Sequence, residues 1–126
     1  MPVPTPVPVP ELPPNNNTYS QAVRLGDLLF LSGQLGVDPA TRDLVGPTIA
    51  EQTTRAIDNI ELILLAAGSG LDRVAKVNIF ITDFSLLPEM NRIYGPRFPH
   101  RPAKSTVEIS RLDKYALIEI EVIASA

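Results

Sequence analysis

Apolar residues recur along this chain with two different periods, and the switches between them lay out its elements. Between Thr48 and Gly68 the spacing is close to 3.6 residues, through Thr53, Ala56, Ile57, Ile60, Ile63, Leu64 and Ala67, which predicts an amphipathic helix. Thr48 can cap it, Glu51 three residues on completes a capping box, and Gly68 stops it. Glu51 and Arg55 stand four apart on the exposed side, an ion pair worth only about 0.3 kcal/mol. A second, shorter helix is predicted after a cap at Asp83 or Ser85. It carries Leu86, Leu87, Met90, Ile93 and Tyr94, and Gly95-Pro96 breaks it.

Elsewhere the period is two. Tyr19–Leu25 and Asp27–Ser32 read as a hairpin around Gly26-Asp27. LLFLS in its second arm is nearly continuous apolar sequence, as in a strand buried on both faces. Gly33 permits a close backbone approach, which would hold polar Ser32 at a pocket edge; the alternative is that Ser32 merely ends the strand. Asp38-Pro39-Ala40-Thr41 predicts a turn, with Asp43–Val45 as a short return strand. Asp72–Thr82 is a buried strand whose inward set starts at Val74 or Val77. Phe98–Pro102 is a stiff loop leading into a strand that begins near Lys104. A polar turn, Arg111–Lys114, precedes the final strand. On that strand Ile118, Ile120 and Val122 share one face, and Glu119 and Glu121 share the other. Two acids on one face are either a solvated sheet surface or the lining of a pocket.

Residues 1–17 stand apart, with seven of the chain's 13 prolines. Alternating Val-Pro cannot donate a regular ladder of backbone hydrogen bonds, so this arm is expected to be polyproline II or disordered, packing on the sheet or a neighbouring subunit at most. Residues 18–126 form the domain. A hairpin plus strand, helix, strand, helix, strand, strand order suits an α+β fold with two helices on one face of a mixed six-stranded sheet. The uncovered face then calls for self-association, which closed cyclic symmetry satisfies.

Composition narrows the function classes. The 126 residues carry no cysteine and one histidine, His100, so disulfides and thiolate metal sites are excluded and no metal or cofactor is expected. A net charge of −3 without a basic run argues against nucleic acid as a partner. No apolar run approaches the roughly 18 residues that span a membrane, and the N-terminus lacks a secretory pattern, so the expected location is cytoplasmic.

PAKSTVEISRL followed by ALIEIEVIA resembles the C-terminal signature of the RidA family, small enamine and imine deaminases. TYSQAVRLGDLLFLSGQLGVDP, EQTTRAIDNIELILLAAG and VAKVNIFITDF match it in order and spacing. The resemblance implies a chorismate-mutase-like fold and a homotrimer whose sheets meet in a central barrel, with clefts between subunits. It implies a small carboxylate- or carbonyl-bearing ligand such as 2-aminoacrylate, hydrolysed without a cofactor to a 2-keto acid and ammonia. Such chemistry needs an anchor for the carboxylate, a positioned water and hydrogen-bond partners for developing charge.

Matched residue by residue, Tyr19 and Ser32 correspond to cleft-facing groups and Asn91 to an asparagine of the second helix. Glu119 corresponds to the carboxylate that orients the attacking water, and Thr106 stands where a small polar residue or cysteine is found. The departure is Lys104. Deaminating members have arginine there, whose planar fork grips a carboxylate, and lysine supplies only a compact point charge. Three readings follow: Lys104 binds carboxylates weakly, Arg101 substitutes for it, or the cleft serves another ligand. A Schiff-base role for Lys104 would require its burial. Descriptions of family members as ribonucleases fit poorly with an acidic chain that has no aromatic-basic patch.

Overall fold

The computed structural model describes residues 2–126. Its strands are β1 (Thr5–Pro6), β2 (Ala22–Leu25), β3 (Leu28–Leu31), β4 (Gln34–Leu35), β5 (Val74–Ile81), β6 (Ala103–Glu108) and β7 (Ile118–Ser125). The helices are α1 (Ile49–Ala66) and α2 (Leu87–Arg97). The strands form one mixed sheet in the order β1-β2-β3-β7-β5-β6, with β4 also pairing β7. Every pairing is antiparallel except β5 with β6. This is the expected architecture of two helices and a mixed sheet. The strand count rises to seven because Thr5–Pro6, inside the proline-rich arm, pairs antiparallel with β2.

The arm is therefore not simply a polyproline II or disordered segment. Proline is tolerated on an edge strand, where a missing N–H breaks no inner ladder, and Val7 N–H still reaches the Ala22 carbonyl at 2.9 Å. Val9 and Leu12 then enter the core. The hairpin turn is where the sequence places it, with Gly26 at a φ of +58° that glycine adopts without penalty.

Helix α1 starts at its expected cap. Thr48 Oγ1 accepts from the Glu51 N–H at 3.1 Å and donates to Glu51 Oε1 at 2.7 Å, so the box closes between the two side chains. That contact draws Glu51 away from Arg55. Arg55 turns instead to Asn59 and Asp58, and the expected Glu51–Arg55 pair does not form. The apolar stripe from Ala56 to Leu64 is buried, and the helix lies over β7 through Ile118, Ile120 and Val122. On β5, Val77, Ile79 and Ile81 face inward; Val74 does too, because an irregularity between Val74 and Lys76 shifts the register.

Four further expectations are corrected. Gly95-Pro96 does not break α2 but lies in its last turn, which runs on to Arg97. Asp83 caps a short turn over residues 84–86 ahead of α2, accepting from Ser85 N–H, rather than α2 itself. The return strand at Asp43–Val45 reduces to a single bridge between Val37 and Leu44. LLFLS is buried on one face only. Leu29 and Leu31 point into the core, whereas Leu28 and Phe30 are 43% and 38% exposed, because both helices cover the same side of the sheet.

Candidate functional site

Cross-strand partners share a face of the sheet, so register decides which candidate residues can meet. Lys104 pairs with Val77, which pairs with Val122, and all three lie on the helix-covered side. There the Lys104 ammonium stands 4.6 Å from the centre of the Tyr94 ring and 3.5 Å from Asn91 Oδ1, both on α2. Glu119 pairs with Phe80 and Leu35 and points to the opposite side. One chain cannot bring Lys104 and Glu119 into a common cleft.

The candidates accordingly fall into two groups. Tyr19, Ser32 and Glu119 line a cleft of about 300 Å3. Asn91, Arg101 and Lys104 line a second, of about 430 Å3, beside Tyr94 and Phe98. Thr106 lies on β6, on the same face as Lys104, and lines neither. Lys104 is exposed, so the burial that a Schiff-base lysine needs is absent within the chain.

The first cleft is built from the end of the hairpin. Ser32 N–H donates to the Gln21 carbonyl at 2.9 Å, and its hydroxyl donates to the Ser20 carbonyl at 2.6 Å. With its proton so engaged, Ser32 Oγ presents lone pairs to the cleft. Below it, buried Gln34 donates its side-chain amide to Gln21 Oε1 at 2.7 Å and to the Ser32 carbonyl at 3.2 Å. Tyr19 has the opposite polarity: its oxygen accepts from Asn15 N–H at 3.1 Å, which leaves the hydroxyl proton free to donate. Gly33 lets Glu119 lie against the backbone, since a Cβ there would come within 2.7 Å of Glu119 Cδ.

Glu119 is half-buried, and its side chain has no hydrogen-bond partner among the described residues. Burial pushes its carboxyl above the ordinary range, with smaller contributions from the negative charges of Glu121 and Asp113. Glu121 differs, accepting from Asn78 Nδ2 at 3.1 Å. Among the described residues no cluster of His, Asp or Glu is arranged to hold a metal ion.

Sequence reasoning missed three contributors. The Gln21–Gln34 amide pair braces Ser32, and nothing in the spacing of these two glutamines marks their pairing. Asn59, on α1, donates to the Val37 carbonyl at 2.8 Å and lines the cleft. Arg42 lines it too, and nothing in the sequence separates it from other surface arginines.

The family model described as Endoribonuclease L-PSP matches residues 9–126. This chain belongs to that family, the RidA family. A RutC family protein of Saccharolobus solfataricus is 47% identical over 84% of this chain and 85% of its own length. A 2-iminobutanoate/2-iminopropanoate deaminase of Dermatophagoides farinae is 39% identical over 83% of each chain. The crystal structure of the Rid-family protein YyfA from Yersinia pestis, of unknown function, superposes with a TM-score of 0.93 at 40% identity. It covers 98% of this chain and 100% of that one. That structure therefore shares the fold over nearly the whole chain.

Proposed function

We propose that this protein hydrolyses small imino acids, the tautomers of 2-aminoacrylate-type enamines, to 2-keto acids and ammonia. The observation that carries this reading is Glu119: a desolvated, unpaired carboxyl in a cleft that also holds a hydroxyl donor, Tyr19, and a hydroxyl acceptor, Ser32. The deaminase relative supports the substrate class.

The working unit is a cyclic homotrimer with its clefts between subunits. Lys104 and Asn91 of one subunit meet Tyr19, Ser32 and Glu119 of the next, which joins groups that one chain holds on opposite faces of its sheet. Leu28 and Phe30, exposed on the uncovered face, supply apolar surface for that contact.

In this arrangement Lys104 holds the substrate carboxylate and Glu119 orients a water over the imine carbon. The water oxygen adds to that carbon while one of its protons passes to Glu119, giving a carbinolamine. Glu119 returns that proton to nitrogen, then takes the carbinol hydroxyl proton as C=O forms and passes it to the departing nitrogen, so the C–N bond breaks and ammonia leaves with both protons of the water. Tyr19 donates to charge developing on the adding oxygen, and Ser32 accepts from the imine N–H.

The test is release of ammonia and keto acid from iminopropionate generated in situ, with wild type, Lys104→Arg and Glu119→Gln compared. Acceleration by wild type that Glu119→Gln abolishes supports the reading. Silence from both wild type and Lys104→Arg overturns it. Activity gained only by Lys104→Arg favours a second reading, a binding protein for another small ligand, for which lysine in place of a planar fork is the observation in favour.

A further inference from the structure

Arg42 occupies a position that suits arginine poorly. It follows the Asp38-Pro39-Ala40-Thr41 turn, where Asp38 Oδ1 accepts from Ala40 N–H at 2.7 Å and Arg42 N–H donates to the Asp38 carbonyl at 2.8 Å. Closing that loop requires Arg42 to adopt a φ of 67°, the left-handed region where glycine is favoured and a long side chain is strained. Arg101, Lys114 and Tyr115 share this conformation, and of the four only Arg42 and Lys114 line the Glu119 cleft.

The guanidinium is aimed, and its charge is uncompensated. Arg42 Nη1 donates to Asn15 Oδ1 at 2.7 Å, while Asn15 N–H is held by the Tyr19 hydroxyl oxygen. The chain Tyr19–Asn15–Arg42 so fixes the guanidinium beside a proposed catalytic group. Asn15 is a neutral amide, and among the described residues Arg42, like Arg24, Arg73, Arg101 and Arg111, makes no salt bridge. Its second amino nitrogen and Nε therefore stay available to an anion in bidentate geometry. The other charged groups lining this cleft are Lys114, Asp113 and Glu119. They balance formally once Arg42 is counted, and burial disfavours the charged form of Glu119.

We propose that the cleft takes imino acids bearing a second, distal acidic group, and that Arg42 holds that group. The inference rests on the imine-hydrolysis reading for the reaction but not for the anion contact. Lys104 of the neighbouring subunit takes the carboxylate beside the imine, so two cations at separate points of the cleft select a dicarboxylate. The reaction is the hydrolysis already described, with the distal carboxylate unchanged.

The experiment has two arms on the full-length protein. Equilibrium binding of glutarate and of butyrate is measured calorimetrically for wild type, Arg42→Gln and Arg42→Gly. Turnover is measured on imines formed in situ by an amino-acid oxidase from glutamate and from alanine. Wild type is expected to bind glutarate roughly 10- to 100-fold more tightly than butyrate, and both variants should lose most of that preference. The glutamate-to-alanine ratio of kcat/KM should fall in parallel. Arg42→Gly also relaxes the backbone, and thermal melts of both variants separate a lost anion contact from a lost fold. Equal binding of the two acids by wild type overturns the proposal, as does a preference that survives both substitutions. No ammonia from either imine with wild type or Lys104→Arg, with the glutarate preference present and lost in the Arg42 variants, upholds the anion site and overturns the hydrolase reading alone.

Discussion

Gly33 and Glu119 fit together so closely that a Cβ on Gly33 would stand 2.7 Å from Glu119 Cδ and 2.8 Å from Oε1. The glycine is there to let a carboxyl lie against the backbone at the end of the hairpin. Gly33→Ala should push that side chain aside with little effect on folding. A displacement of this size is expected to lower kcat for imine hydrolysis about 10- to 100-fold, read by steady-state kinetics beside a thermal melt.

Glu119→Gln should abolish hydrolysis and change the pH dependence of stability. Because burial raises the Glu119 pKa, the folded state holds this proton to higher pH than the unfolded chain does. Stability is therefore lost as pH rises from the ordinary carboxylate value of 4.5 upward through the folded pKa. Glutamine removes that loss. Denaturant melts should show the variant gaining on wild type across this window and holding level with it below.

Tyr94→Phe isolates a buried hydroxyl. Tyr94 Oη has no hydrogen-bond partner among the described residues, while the ring stacks on Phe98 with centroids 4.6 Å apart and faces the Lys104 ammonium. Removing the hydroxyl keeps both ring contacts and is expected to stabilise the fold by about 1 kcal/mol. Burial pushes this tyrosine up to about 12 from 10.0, so wild type should lose further ground to the variant as pH climbs through that interval.

Phe30→Glu tests the proposed assembly. Phe30 pairs with Ile123 and Val23 on the uncovered face and is 38% exposed. A carboxylate there would be buried unpaired in any apolar interface. Sedimentation should find a trimer for wild type and a monomer for the variant, and hydrolysis should disappear with the trimer. A wild-type monomer that turns over imines would overturn the inter-subunit cleft.

Leu12→Ala tests the arm. We propose that residues 2–17 act as a strap folded onto residues 18–126, with Leu12 only 5% exposed and lining the Glu119 cleft. Truncating a leucine buried to this extent costs about 2–5 kcal/mol. A chemical melt unchanged by the substitution would mean that the arm contributes nothing to stability.

Much of the fold was legible in the sequence because it rests on local patterns. The 3.6-residue stripe from Thr53 to Leu64 and the Thr48 cap define α1. Gly26-Asp27 defines the hairpin turn, and the alternation from Ile118 to Val122 fixes which face of β7 is buried. Errors arose where a second element outbid the local signal. Thr48 took Glu51 from Arg55, the sheet edge recruited Thr5–Pro6, and α2 absorbed Gly95-Pro96 into its last turn.

The sequence by itself determined the family, the helices and strands, and which residue types could do the chemistry, since spacing and motif order are properties of the chain alone. Tertiary structure decided which of those residues can act together. Register places Lys104 and Glu119 on opposite faces of one sheet, and backbone closure of the Asp38–Asp43 loop sets Arg42 at the rim of the Glu119 cleft. Neither relationship exists until strands far apart in the chain are paired, because a side chain's face depends on its partner's position as well as its own.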